Sequence, residues 1–387
     1  MMPSLGPRLL RHLKPGAPVV SPLTELPAIQ CAQWDSTLKA RYYAAYMAAY
    51  YTGRPRLVRA LKKVEAQVIK SMEDQPLGRE LPVPVLELDS LTPIELQGLQ
   101  AQFADLQQPV VIKGLGGKLE AAQKWTPDWL AETYGDYKVT VRIDTSSYTP
   151  TASQRTVSLP LSEVVQLVKK GDDDHYASTL SDVFNHNTAL RADLDLNRIS
   201  DVLMGRTADF FYSTELFFGG GRTRTAYHAA PSQNIFFNVY GNKTWTMVSP
   251  HDTLAMSPEV GNHALVFQSP VEPRLSNADA ADAGFPLYGY ANHYRVTLEP
   301  GDLLLSPEYW WHTVQNHGPT IGVANRFNAV KGVSKTHAWA RNVPRLAASN
   351  PAFFTLFALS GSARELRKSI GKTGWSSDFS VTDHFRT

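Results

Sequence analysis

The sequence predicts an α+β fold with a mainly β core and helical additions at its N- and C-terminal ends. Three observations carry this. Short runs of alternating apolar and polar residues crowd the region 208–330, punctuated by Gly and Pro, as in a small antiparallel sandwich or barrel. Before residue 84 and after 331, apolar residues recur instead three and four apart, the period of a helix. At 387 residues, 43% apolar and with sixteen tyrosines, the chain is long enough to bury a large core. The expected divisions are a flexible basic segment 1–32, a helical extension and linker 33–84, a core domain 85–330 and a helical segment 331–387.

Taken in order, Ser36 to about Asp74 reads as two helices separated at Gly53-Arg54-Pro55, with Pro55 in a first turn. Tyr43, Met47, Tyr50 and Tyr51 form a stripe expected to pack against the core, as Leu61, Val64 and Val68 do in the second helix. Residues 75–84 are a linker, followed by strands at 85–88 and 109–112 and a helix start at Thr92-Pro93-Ile94-Glu95. Thr126 and Pro127 open another helix, 137–142 alternates as a strand, and 160–170 is an amphipathic helix ended by Gly171. Further strands are expected at 210–218, 234–240, 244–248, 293–298, 302–306 and 321–327. The inserted segment Pro270–Gly289, rich in Ala, Asp and Pro, is read as a lid or a plain surface loop. Helical patterns at 350–359 and 363–370 would cap the barrel or form a homodimer interface.

Composition removes several function classes. A net charge of +2 gives no reason to expect nucleic acid or an anionic membrane as partner. No apolar run approaches the roughly 20 residues that span a bilayer. Cys31 is the single cysteine, so no intrachain disulfide forms and a reducing compartment is favoured. A soluble, cytoplasmic protein is expected, or an organellar one if the acid-free stretch 1–24, with Arg8, Arg11 and Lys14, is a transit segment. There is no Gly-x-Ser-x-Gly elbow, Walker loop or His-Glu-x-x-His helix, and Gly219-Gly220-Gly221 precedes a β segment rather than a helix.

The chemistry concentrates in two distant stretches. Thr225-Ala226-Tyr227-His228-Ala229-Ala230-Pro231 leads into a run from Gln233 to Lys243. Far downstream, Gly301-Asp302-Leu303-Leu304-Leu305-Ser306-Pro307 runs into Trp310-Trp311-His312, 84 residues beyond His228. On a strand, His228 and residue 230 point the same way, because side chains alternate faces. A lone His-x-Ala has almost no specificity; the specificity lies in the whole constellation.

That constellation resembles the Jumonji-C and cupin-like (cupin 8) oxygenases, which bind iron(II) through His-x-Asp and a distant His and consume 2-oxoglutarate and dioxygen. The resemblance implies a double-stranded β-helix, or jelly roll, with His228 and His312 as metal ligands. Within the family, the chain resembles the asparaginyl hydroxylase branch. By that likeness Lys243, after the turn residue Gly241, would pair with the distal carboxylate of 2-oxoglutarate. Thr225 and Tyr176 would contact the same carboxylate, while Asn234 and Asn325 would line the pocket.

Ala230 departs from the pattern, since it stands where the family's Asp ligand would be. In this respect the site resembles the aliphatic halogenases of the wider superfamily, where His-x-Ala or His-x-Gly makes room for chloride on the metal. Three readings follow: Ala230 is a halide site and the protein a C–H halogenase; two histidines and water suffice for a hydroxylase; or the domain only binds. Glu215 or Glu308 could also supply the missing carboxylate. The substrate would be a small molecule or a peptide, and Arg224 and Arg326, with Arg222 nearby, would receive an anionic group on it. Phe236, Trp245, Trp310 and Trp311 are read as core.

Overall fold

Two strands, β9 (Gln233–Val248) and β13 (Trp311–Phe327), are long enough to belong to two sheets at once, and the core is built on them. The computed structural model describes residues 21–52, 54–143, 155–230, 232–260 and 267–328. In chain order the other strands are β1 (Glu80–Pro82), β2 (Val85–Glu87), β3 (Val110–Lys113), β4 (Lys138–Arg142), β5 (Thr156–Pro160) and β6 (Tyr176–Leu180). They continue with β7 (Ser213–Gly219), β8 (His228–Ala229), β10 (Phe267–Gln268), β11 (His293–Leu298) and β12 (Leu303–Ser306).

The first half of β9 pairs with β12 and the second half of β13, within the order β2-β3-β12-β9-β13-β7-β6-β4-β5. Its second half pairs with β11 and the first half of β13, whose other edge carries β8 and then β10. Most pairs are antiparallel; β1 with β11 and β2 with β3 are parallel. This is the jelly roll that the sequence led us to expect. Both long strands turn from one sheet to the other at left-handed glycines, Gly241 (φ 69°) and Gly318 (φ 74°), and their register shifts between His317 and Gly322. Any Cβ on Gly241 would sit 2.1 Å from the carbonyl oxygen of Pro319, so only glycine fits.

Alternation along these strands separates two cores. Phe236, Trp245, Met247, Leu304, Trp310 and Val314 fill the space between the sheets. Ile235, Phe237, Leu303, Leu305, Val323 and Phe327 point outward, where α3 (Pro93–Gln102), α6 (Leu161–Lys169) and α9 (Leu196–Met204) cover them with Leu99, Val164, Ile199 and Leu203. Thr92 and Glu95 close a capping box on α3, and Asp195 accepts from the Arg198 amide at the start of α9.

Helices α1 (Ser36–Thr52) and α2 (Pro55–Met72) back the other side. Tyr42, Tyr46, Leu61, Val68 and Met72 share a core with Tyr227, Ala229, Val248 and Trp311, so the pair packs behind β8. Tyr42 and Tyr46 are the deeply buried tyrosines, one helical position away from the expected Tyr43 and Met47, which are only partly buried. The preceding segment is stapled to the barrel. Buried Asp252 accepts from the Ala32 amide (3.2 Å) and the Trp34 indole (2.7 Å), and Lys39 donates to the His251 carbonyl. Burial lifts the Asp252 carboxyl to about 7.

Several elements depart from expectation. Residues 234–248 form one strand where two were expected, because Gly241 bends the ladder without ending it. The segment 311–320 is strand, although only 321–327 was read as one. β6 was missed because all five of its residues are buried and show no alternation. Helices α7 (Asp182–His186) and α8 (Thr188–Ala192) are too short to show a period. Segment Pro270–Gly289 is packed down, with Val271, Ala280, Leu287 and Tyr288 buried and Asn277 donating to the carbonyls of Gly289 and Ala291. Residues 1–20 of the expected transit segment, and the C-terminal helices with their dimer interface, lie outside the described residues. Among those described, no helix is long and apolar enough to cross a membrane.

The bend at Gly241 makes a direct prediction. Gly241→Ala should cost at least about 2 kcal/mol in urea denaturation, from left-handed strain plus the clash with Pro319. An unchanged midpoint would mean that the two strands can turn without it.

Candidate metal centre

His228 on β8 and His312 on β13 are direct register partners, and their ring centroids lie 4.2 Å apart. The local folding rule is the same for both. Each Nδ1 lies within hydrogen-bond distance of the carbonyl two residues earlier, Ala226 at 2.9 Å and Trp310 at 2.8 Å. A carbonyl can only accept, so Nδ1 carries the proton and Nε2 keeps the lone pair a metal requires. Burial pushes the His228 imidazole down to about 4. Burial, with His228 beside it, holds His312 well below the usual range. Both rings are therefore neutral, as ligands must be, near pH 7. Trp245 stacks on His312 at 5.3 Å and fixes its plane.

Among the described residues no group of three His, Cys, Asp or Glu could hold a metal ion. Ala230 offers a methyl group, and its carbonyl accepts from the Tyr309 amide. Glu215 does face the interior, but Arg326 takes both its oxygens at 3.0 and 3.1 Å. Glu308 is buried yet joins no such group.

The other end of the interior row holds a buried cation. Lys243, Trp245 and Met247 on β9 face Asn316, Val314 and His312 on β13. Along β13, the residue facing Lys243 is thus four positions from His312, about 13 Å of strand. The Lys243 ammonium is fully buried and donates to the Asn316 carbonyl oxygen (2.6 Å) and the Thr320 hydroxyl (2.9 Å). Both partners are neutral, no carboxylate acts on it among the described residues, and burial pulls its pKa down to about 7. A buried ammonium without an anion is an incomplete ion pair. Two imidazole lone pairs at one end and this cation at the other fit a small dicarboxylate lying between them.

Other expected residues divide. Tyr176 is brought in, with its ring 5.8 Å from the Lys243 ammonium. Thr225 lies between the two ends, where its hydroxyl accepts from the Val314 amide and keeps its own proton to donate. Asn234 faces the interior, and its buried Oδ1 has no partner among the described residues. Asn325 is a correction: it shares the outward face with Val323 and Phe327, and its amide donates to the Ile235 carbonyl. The substrate arginines are corrected too. Arg326 is inside the barrel and clamps Glu215 in two-point fashion, while Arg224 is buried against Glu272 at 3.3 Å. Asn316, Thr320 and Thr223, which accepts from the Asn316 amide, went unforeseen. Counting by twos from His312 reaches Asn316, but only once 311–320 is known to be a strand.

Residues 97–330 match the family described as Cupin-like domain. Among curated proteins, the chain is 23% identical over 238 residues to Lysine-specific demethylase 8 of Danio rerio, covering 60% of this chain and 56% of that protein. It is 22% identical over 262 residues to Jumonji C domain-containing protein 5 of Drosophila melanogaster, covering 63% of each. With tRNA wybutosine-synthesizing protein 5 of Homo sapiens it shares 24% identity over 265 residues, 64% of this chain and 78% of that protein. The chain thus spans less than two thirds of the first two relatives' length.

Lys243 supplies a pH test without any ligand. Its folded pKa, about 7, lies below the unfolded 10.5, so between these values the unfolded chain binds more protons and stability must rise with pH. From pH 7 to pH 10, the ligand-free protein should gain on the order of 3 kcal/mol relative to Lys243→Met in urea denaturation. Parallel pH profiles for the two proteins would show that the ammonium is solvated.

Proposed function

The chain belongs to the cupin-like domain family, and on that premise we propose that it is an oxidoreductase using iron(II), 2-oxoglutarate and dioxygen on an unactivated C–H bond. One observation carries the reading: a buried, anion-free Lys243 ammonium stands in the same interior row as His312, opposite which His228 sits. His228 and His312 would hold the metal through Nε2, with Nδ1 locked on the backbone. The ion, when bound, would supply dioxygen activation coupled to oxidative decarboxylation of 2-oxoglutarate. Lys243 would pair with the distal carboxylate of that co-substrate, which restores the ammonium to its charged form. Thr225 would donate its hydroxyl proton to the same group, while Tyr176, Phe236 and Val314 keep water away from it.

The finer reading concerns the place beside the metal that Ala230 leaves without a carboxylate. The Arg326 guanidinium acts on both histidines, but Glu215, which it clamps, opposes it at His228, so charge alone does not choose between an anion and a neutral ligand there. Chloride in that place would make the protein a halogenase. Water there would make it a hydroxylase of a protein side chain or small molecule. A domain that only binds would need neither, and the buried cation weighs against it, because an unpaired ammonium costs stability that a purely structural residue would avoid.

Anaerobic titration of iron(II) and 2-oxoglutarate tests the family reading. Lys243→Ala should weaken 2-oxoglutarate binding by about 1.5–3 kcal/mol, and His312→Ala should abolish metal binding. Absence of binding by the unaltered protein would leave the non-catalytic reading. Chloride separates the two chemistries: succinate formation that rises with added halide, and loses that dependence in Ala230→Asp, supports halogenation. Indifference to halide supports hydroxylation.

A further inference from the structure

Helix α2 carries a charge asymmetry that the near balance of the whole chain, 38 cations against 36 acids, conceals. Between residues 54 and 70 it holds Arg54, Arg56, Arg59, Lys62, Lys63 and Lys70 against a single acid, Glu65, which pairs with Lys62 at 2.6 Å. The apolar side of the helix is committed, with Leu61, Val68 and Met72 buried behind β8. Arg56, Arg59, Lys63 and Lys70 are exposed on the other side. Steps of three, seven and fourteen residues from Arg56 keep all four within about 60° of rotation, in a row about 21 Å long. None of the four takes part in an ion pair among the described residues.

We propose that this row is a docking surface for the phosphodiester backbone of a nucleic acid. A rigid helix holds the four cations in line, and a polyanion with charges every few ångströms meets all of them at once. A bilayer is the poorer match. Helices that lie on membranes bury an apolar face in the lipid, and the apolar face of α2 is already buried in the protein. The row faces away from the barrel on the helix that packs behind His228's strand, so nucleic acid held there is separated from the candidate site by α2 and β8. The inference does not depend on the metal chemistry. It revises the expectation drawn from net charge, which averages over a surface that is locally uneven.

Salt dependence gives the decisive measurement. Anisotropy of a labelled RNA duplex, titrated with the full chain over a series of salt concentrations, should give a log–log slope of about −3.6, from about −0.9 for each of four phosphates. Arg56→Gln, Arg59→Gln, Lys63→Gln and Lys70→Gln should each flatten the slope by about 0.9, and the quadruple variant should lose binding. Lys138→Gln, an exposed cation on β4, should leave it unchanged. All four row residues are exposed, so circular dichroism of the quadruple variant should match the unaltered protein. Three results overturn the proposal: no salt-sensitive binding, an unchanged slope in the quadruple variant, or binding to phosphatidylserine vesicles in place of RNA.

Discussion

An ammonium group enclosed between two sheets, with an amide oxygen and a hydroxyl as its only hydrogen-bond partners among the described residues, sets the terms for the whole interior. Taking such a charge out of water costs several kcal/mol unless an opposite charge comes with it. Two resolutions exist: lose the proton, as the depressed pKa indicates, or receive an anion. A protein with no use for the second would be better served by leucine or methionine. The surrounding residues are arranged for the second, with Thr225 and Tyr176 alongside and neutral imidazoles at the far end of the row.

The metal end obeys the complementary rule. Its histidines are kept neutral by burial, and their tautomer is set by backbone carbonyls two residues back, a device each strand supplies from its own chain. Among the described residues, Glu215 faces the interior nearby, but it is neutralised by Arg326 and is not offered to a cation. The charge a metal would bring is therefore left to be balanced by whatever small anion enters with it. Ala230 brings no carboxylate there, and no described side chain completes a metal-binding group.

Much of this was legible in the sequence, part of it by parity and part by resemblance. Alternation put His228 and residue 230 on one face, while the likeness to a known family brought in His312, Lys243 and Tyr176, the last on an all-buried strand that gave no alternation. Parity also explains the failures. Asn325 looked inward only so long as the strand had no fixed phase; Val323 and Phe327 fix it the other way. Asn316 and Thr320 escaped notice because residues 311–320, with His317-Gly318-Pro319 among them, read as a turn rather than a strand that bends. The arginines were misjudged for a different reason. No local pattern tells Arg326 that its partner is Glu215, 111 positions away.

The Asp252 staple bears on where the functional unit stops. The family match begins at residue 97, yet the strand carrying His228 is only two residues long and owes its rear support to Tyr42, Tyr46 and Leu61. Cutting the protein at the homology limit would strip the plaster from that wall, baring Tyr227, Ala229 and Trp311 and stranding a carboxylate that had been held by Trp34. The cup that holds the two histidines has a detachable-looking back that is in fact part of the vessel.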